Sequence, residues 1–278
     1  MRLTRAQGNP MNKYTRTFRL APLTVSALSL GVVQAVLADG ETPFEEAFIF
    51  FELNHTDGDL GIHGKIDGGP WSYVRIEDAR ERTLMIVRPR TRLATHGVTE
   101  LFFESAEPEF DDLDPRRFFR RFPEGTYEVE GWSNELGELE SETEVTHTMP
   151  APPEPTINGM PMAEVCDDED PEYDITETSA PVTIAWPEVT MSHPDADGAG
   201  AGVQPPIPVT IHNYEVVVEA ELGDDEFATV FSVILPPGVR SMTVPPEFLA
   251  QTDEFKYEVL AREESYNQTA IESCFVLE

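Results

Sequence analysis

The sequence holds 278 residues, of which 52 are acidic and 19 basic, so its formal net charge is −33 at neutral pH. Nucleic-acid binding relies on lysines and arginines that neutralise phosphates, so this composition argues against a nucleic-acid partner and against anionic membrane surfaces. With 40% hydrophobic residues and 16 phenylalanines, the chain has enough apolar side chains for a core, which excludes a wholly disordered protein.

The first 38 residues have the pattern of a secretory signal peptide. They carry five basic residues and no acidic one, then an apolar run from Leu20 to Leu37 and the small residues that precede a cleavage site after Ala38. A retained membrane anchor is the alternative, which Pro22 and the polar residues inside the run disfavour. We therefore expect a secreted or periplasmic protein without membrane insertion after cleavage. Its mature chain, with 14 basic and 52 acidic residues, carries a charge of −38.

The next part of the chain, residues 39–149, predicts short β-strands separated by turns. The clearest signal is a hairpin, in which Tyr127–Gly131 and Leu139–Met149 alternate apolar residues with glutamates. Such period-two alternation indicates half-solvated antiparallel strands. One short helix interrupts them, because Asp114 can cap it and Pro115 suits its first position. The strands predicted before this helix are Glu45–Asn54, Trp71–Glu77, Thr83–Val87 and Thr99–Glu104.

Residues 150–178 are predicted to be a linker between two domains. Prolines dominate the run that begins at Met149, and acidic residues dominate the run that begins at Cys166, which favours an extended and solvated chain. Residues 179–278 again predict strands, and the net charge of residues 150–278 is −23 against −15 for residues 39–149. We therefore expect an all-β protein with two tandem Greek-key, immunoglobulin-like β-sandwich domains.

The C-terminal half resembles a fibronectin type III domain. The residues that carry the resemblance are Val182–Pro187 as the second strand with its core tryptophan, Tyr214–Val216 as the third, Thr243–Pro245 as the fifth and Phe255–Ala261 as the sixth. The sixth strand of such domains usually opens with a tyrosine whose hydroxyl binds the backbone, and Phe255 stands at that position here. The resemblance implies a spacer or binding module and not an enzyme. The N-terminal half is similar to a second, less typical sandwich.

Cys166 and Cys274 are the only cysteines of the chain. Because an exported chain meets an oxidising compartment, we expect them to form a disulfide between the segment entering the second domain and its last strand. Two unpaired thiols are the alternative.

The segment Asn54–His63 contains the sharpest local pattern for a metal. Asn54, Asp57 and Asp59 alternate with turn residues, and several oxygen ligands from one bent loop are what Ca²⁺ prefers. The spacing does not match an EF-hand, and a plain Asp-Gly turn is the alternative. A zinc site is the weaker hypothesis, because the spacing fixes no third ligand. Further ligands would be Glu52 and Asp67 for calcium, and His55 and His63 for zinc.

The sequence contains no nucleophile elbow, zinc-protease motif or phosphate-binding loop. Trp71 and Trp132 lie beside glycine turns, where a ring can stack on a sugar, and packing in the core or at a hairpin edge is the alternative for both. Trp186 is assigned to the core. We expect an exported, non-catalytic binding or structural module for envelope or extracellular protein or glycan contacts, with calcium as a stabilising ion. The alternative is a hydrolase, or an accessory subunit of a polysaccharide- or peptide-degrading system, with its site in the N-terminal domain.

Overall fold

A computed structural model of the chain describes residues 42–166, 175–194, 206–222 and 229–278. The predicted signal peptide lies outside these residues and stays a prediction. In the described part, no helix has the length and apolar character that crossing a bilayer requires. Strands dominate and the helices are short, so the protein is all-β with sandwich-like sheets, as the sequence predicts.

The N-terminal half packs two layers of strands around one core, and one long strand belongs to both layers. The elements are β1 (Glu46–Asn54), β2 (Asp59–Glu77), β3 (Thr83–Val87), α1 (Thr91–His96), β4 (Val98–Glu104), α2 (Pro115–Phe119), β5 (Gly125–Ser133) and β6 (Gly137–Val145). The first part of β2 pairs with β1 and β4, and the second part pairs with β3 and β5, beyond which lies β6. Between Asp67 and Trp71, at a Gly-Gly-Pro sequence, the register against β4 shifts and the strand changes layer. Phe51, Ile66 and Tyr127 are fully buried between the layers.

The predicted helix after Asp114 is confirmed, together with the chemistry of its cap. Helix α2 begins at Pro115, and the Asp114 carboxylate accepts a hydrogen bond from the backbone amide of Arg116 at 2.9 Å. Two phenylalanines of α2 pack edge-on against Phe51, with ring centroids 6.0 and 5.1 Å away. Helix α1 was not predicted, because it buries no residue and therefore shows no apolar periodicity in the sequence.

A tyrosine corner lies in the N-terminal half. The hydroxyl of Tyr127, near the start of β5, donates to the backbone carbonyl of Pro123 at 3.0 Å, four residues upstream. This is the hydrogen bond that Phe255 cannot make in the C-terminal half. The corner is a feature of immunoglobulin-like sandwiches, so it agrees with the class expected for this half.

The C-terminal half is a second sandwich of two facing sheets. Its elements are β7 (Thr156–Ile157), β8 (Met160–Pro161), β9 (Thr176–Thr178), β10 (Thr183–Ala185), β11 (Ile211–Ala220), β12 (Thr229–Leu235), β13 (Ser241–Thr243), α3 (Pro246–Leu249), β14 (Glu254–Glu263) and β15 (Gln268–Leu277). One sheet has the order β13-β10-β7-β8, and the other contains β12-β11-β14-β15, with β9 beside β15. Trp186 packs on Tyr214 inside the core, with ring centroids 5.4 Å apart. Four strands that carry the resemblance, β10, β11, β13 and β14, therefore lie where the sequence predicts them.

The segment predicted to be a linker contributes strands to this second sandwich. Ile157 in β7 lies opposite Ile184 and is fully buried in the second core. The prolines before it favour an extended chain, as expected, but a single apolar residue after them is enough to anchor a short strand. Residues 167–174 of the segment lie outside the described residues, and the domain boundaries stay a prediction.

The two halves share one sheet, because β1 of the first half lies parallel to β15 of the second. Residues Glu52 to Asn54 are opposite Gln268 to Ala270. This pairing, which we call the joint, brings together strands near the two ends of the described chain. No local sequence pattern predicts it.

Candidate functional site

Carboxylates from both halves meet near the joint. Glu258 and Glu272 are directly opposite each other in β14 and β15, and Asp59 is directly opposite Asn54 across β1 and β2. Residues directly opposite in a sheet project from the same face, so the pairing collects these side chains. The interacting acids, which we call the carboxylate cluster, are Glu52, Asp57, Asp59, Glu107, Glu258 and Glu272.

The side chain of Asn54 makes four hydrogen bonds in and beside the predicted calcium loop. Its side-chain oxygen accepts hydrogen bonds from the backbone amides of Thr56 at 3.0 Å and Asp57 at 3.2 Å, which closes the turn. Its Nδ2 donates to Oε1 of Glu272 at 2.6 Å and to Oδ2 of Asp57 at 3.4 Å. The structure thus brings Asn54 and Asp57 together, and it adds Glu272 from the other half, which the sequence analysis missed.

Asp59 is the most enclosed acid of the predicted loop. Its side chain lies in a buried position, and its Oδ1 has no hydrogen-bond partner. Burial raises the pKa of Asp59 to about 7, and the charges of Glu107, Asp57 and Glu272 add to the rise. Burial likewise raises the pKa of Glu272 to about 7, reinforced by Asp57 and opposed by the hydrogen bond from Asn54. The cluster therefore holds more negative charge than its surroundings stabilise.

His63 is a buried side chain that lies between two acids of the carboxylate cluster. Its Nε2 lies 2.9 Å from Oε1 of Glu107, and its Nδ1 lies 3.6 Å from Oε2 of Glu52. Burial lowers the pKa of His63, but the hydrogen bond to Glu107 and the charge of Glu52 outweigh it, so the pKa is raised. Both ring nitrogens face carboxylates, which favours the protonated imidazolium and leaves no nitrogen as a general base.

Glu107 reaches His63 because Gly61 has no side chain. A Cβ at Gly61 would come within 2.3 Å of Oε1 of Glu107, so the glycine makes room for this acid above β2. Glu107 follows β4 in a loop with no metal-like spacing. Sequence reasoning therefore had no signal for it.

The other predicted ligands lie apart from the carboxylate cluster or face different partners. Asp67 is opposite Glu46, eight residues along β2 from Asp59, a distance of roughly 26 Å in an extended strand. The Nδ1 of His55 faces Nε2 of His193 at 3.1 Å, whereas both ring nitrogens of His63 face carboxylates.

A second group of acids lies on the outer face of the layer formed by β3, β2, β5 and β6. Among the residues that the structure describes, Glu77, Glu128 and Glu130 are the one set of three whose ligand oxygens all lie within 4.8 Å of one another. Arg75 donates to this group, with Nη1 3.1 Å from Glu77 and Nε 3.0 Å from Glu130. A guanidinium thus already pairs with two of the three acids in this group.

The same outer face carries an aromatic row. Tyr73 is opposite Trp132, and Trp132 is opposite Glu138. The guanidinium of Arg88 lies over the Tyr73 ring, 5.2 Å from its centroid. Trp132 is 46% exposed. We call Arg88, Tyr73, Trp132 and Glu138 the aromatic row.

The three tryptophans have different environments. Trp71 is 1% exposed and Trp186 is 4% exposed, so both belong to the cores. The stacking role considered for Trp71 is therefore not open to it, whereas Trp132 can contact a ligand.

Cys166 and Cys274 lie at disulfide distance, as the sequence predicts. Their Sγ atoms are 2.16 Å apart and their Cα atoms 5.8 Å apart. The pair connects the segment before β9 to the last strand, β15, and closes a loop with a sequence separation of 108.

No protein-family model matches the sequence, and no curated protein matches it. Solved structures that it is similar to include the FN1–FN3 domains of chicken CNTN1, at TM-score 0.31 and 10% identity, covering 85% of this chain and 65% of that one. A 1.5-MDa bacterial ice-binding adhesin follows at TM-score 0.24 and 12% identity, covering 86% and 66%. A tetra-tandem repeat in the extending region of a large adhesion protein has TM-score 0.25 and 10% identity, covering 84% and 50%. This chain thus spans half to two thirds of their lengths, and TM-scores this low say nothing of what it binds.

Proposed function

We propose that the protein is an exported, non-catalytic binding module with fibronectin type III-like architecture, which contacts an extracellular or envelope glycan or protein through the aromatic row. The observation that carries the proposal is the exposure of Trp132, a large aromatic side chain opposite Tyr73 on the outer face of the sheet.

The composition of the aromatic row suits recognition. Trp, Tyr and Arg are the residue types that dominate the energetics of binding surfaces. The flat rings of Tyr73 and Trp132 can stack on the apolar face of a sugar, while Arg88 and Glu138 at the two ends supply a donor and an acceptor for hydroxyl groups. Because the strands β2, β5 and β6 fix the backbone positions of Tyr73, Trp132 and Glu138, less conformational freedom is lost on binding.

The remaining acids support a structural role better than a catalytic one. His63 is held between two carboxylates, and Arg75 pairs with two acids of the compact acidic group of the outer face. The hydrolase alternative relied on a deep cleft in the N-terminal half, lined by paired acids and an exposed Trp71 or Trp132. Trp71 is in the core, and the exposed Trp132 lies on an outer sheet face.

A glycan microarray probed with the purified full-length chain tests the proposal. We expect binding to a defined set of glycans, with a saturable change in tryptophan emission, because Trp132 is the exposed tryptophan. Trp132→Ala should lose the binding. Phe102→Ala is the matched control, because Phe102 is a 50% exposed aromatic in β4, outside the row.

Two results would contradict the proposal. If Trp132→Ala retains the affinity of the natural chain, the aromatic row is not the binding surface. If the chain cleaves any glycan that it binds, the protein is a hydrolase and the alternative is correct.

A further inference from the structure

Asp59 presents a buried oxygen to a group of like charges. Its side chain is 9% exposed, and its Oδ1 accepts no hydrogen bond. A buried carboxylate oxygen without a partner is unfavourable and rare in folded proteins. The charged groups that interact with Asp59 are the acids Glu107, Asp57, Glu272 and Glu52, so neighbouring charge adds repulsion instead of compensation.

The positive side chains near the carboxylate cluster pair with acids other than Asp59, although the charge of Lys256 opposes the rise in the pKa of Asp57 and Glu272. His63 binds Glu107 and Glu52. Lys256 pairs with Glu221 at 3.2 Å, and the Nε of Arg262 donates to Gln268 at 2.7 Å. These pairs join the positive side chains to residues other than Asp59, whose Oδ1 accepts no hydrogen bond.

We infer that a divalent cation, Ca²⁺, binds between Asp57, Asp59, Glu107 and Glu272 at the joint. All four offer hard carboxylate oxygens, and Ca²⁺ takes six to eight such ligands in flexible geometry. Mg²⁺ requires a compact, near-ideal octahedron, which acids from separate segments supply less readily. The oxygens of the cluster are spread more widely than 4.8 Å, so binding draws the side chain of Asp57, which is exposed, towards Asp59.

The site differs from a calcium loop built from consecutive residues. Asp57 and Asp59 come from the turn between β1 and β2, Glu107 from the loop after β4, and Glu272 from β15 of the other half. An ion held by these residues ties both halves together beside the β1–β15 pairing. Beyond the binding role proposed above, the bound ion stiffens the module at the joint between its two halves.

Calorimetric titration of the chelator-treated full-length chain with CaCl₂ tests the inference. We expect one Ca²⁺ per chain, a higher melting temperature in CaCl₂ than in chelator, and weaker binding of MgCl₂. Asp59→Asn and Glu272→Gln should each weaken Ca²⁺ binding at least tenfold. Both are near-isosteric changes, and near-ultraviolet circular dichroism confirms the fold.

Glu128→Gln is the matched control, because it removes a carboxylate from the acidic group of the outer face, away from the proposed ligands, and its Ca²⁺ affinity should equal that of the natural chain. Absence of Ca²⁺ binding by the natural chain overturns the inference. Undiminished binding by both Asp59→Asn and Glu272→Gln also overturns it, as does loss of binding in Glu128→Gln. Trp132→Ala should bind Ca²⁺ normally, so this result stands apart from the glycan test.

Discussion

Asn267 is the side chain that fastens the two halves at the joint, and replacing it by alanine tests how much the joint contributes to stability. Asn267 is 1% exposed. Its Oδ1 accepts a hydrogen bond from the backbone amide of Phe51 at 2.8 Å. Its Nδ2 donates to the backbone carbonyls of Thr146 at 3.0 Å and Thr148 at 2.9 Å. One residue of the C-terminal half thus satisfies three backbone groups of the segment that ends the N-terminal half and of β1.

Asn267→Ala leaves those three backbone groups without their partner. Each unsatisfied buried polar group lowers the free energy of unfolding by about 1–3 kcal/mol. Local relaxation and entering water recover part of this, so we expect a total loss of about 3–6 kcal/mol. Such a loss is a large part of the stability of an ordinary domain, about 5–15 kcal/mol.

Equilibrium unfolding in urea measures the change, with the full-length chain and its variants compared at one temperature. Asn134→Ala is the matched control, because Asn134 is exposed in the β5–β6 turn, and we expect it to change the free energy of unfolding by less than about 0.5 kcal/mol. A loss below about 1 kcal/mol in Asn267→Ala would show that the joint does not depend on this side chain.

Three further predictions concern local interactions. Cys166→Ser should lower the free energy of unfolding by about 4–5 kcal/mol, from the entropy of a loop with a separation of 108; labelling of both thiols in the unreduced protein would contradict it. Burial raises the pKa of Asp78, but hydrogen bonds from Arg82 and two backbone amides outweigh this and hold it below its usual value. The stability that Asp78 contributes is therefore present above the pKa of Asp78 in the unfolded chain. It is lost as the pH falls through the lower pKa of Asp78 in the folded chain. In urea unfolding, Asp78→Asn should lose about 2–4 kcal/mol at pH 7 and show less acid sensitivity than the natural chain; equal pH profiles would contradict this. Tyr127→Phe, which removes the hydrogen bond to Pro123, should lower the unfolding free energy by about 1–1.5 kcal/mol in the same assay, and an unchanged midpoint would argue against the corner.

Local pattern was enough to predict most strands and the cap of α2. The β5–β6 hairpin was predictable because its alternation and its turn lie within one short segment. The first part of β2 was not, because residues 59–70 contain four glycines, two aspartates and a proline, a composition typical of turns. These residues nevertheless form a central strand, because β1 and β4 pair with them on both sides.

The candidate site likewise combines residues that a local pattern predicts with residues that it does not. Asn54, Asp57 and Asp59 were predictable, since their spacing is local. Glu107 and Glu272 come from a loop and a strand that only the tertiary fold brings to them. Trp132 was recognisable as a candidate. Its exposure follows from its place on the outward face of β5, and sequence alone could not show that Trp132 is exposed while Trp71 is buried.

Two cores share one sheet, so the aromatic row and the carboxylate cluster belong to a single body. Differential scanning calorimetry of the full-length chain measures whether the two cores unfold together. We expect one unfolding transition whose calorimetric and van't Hoff enthalpies agree. Two separate transitions, one for each core, would contradict it.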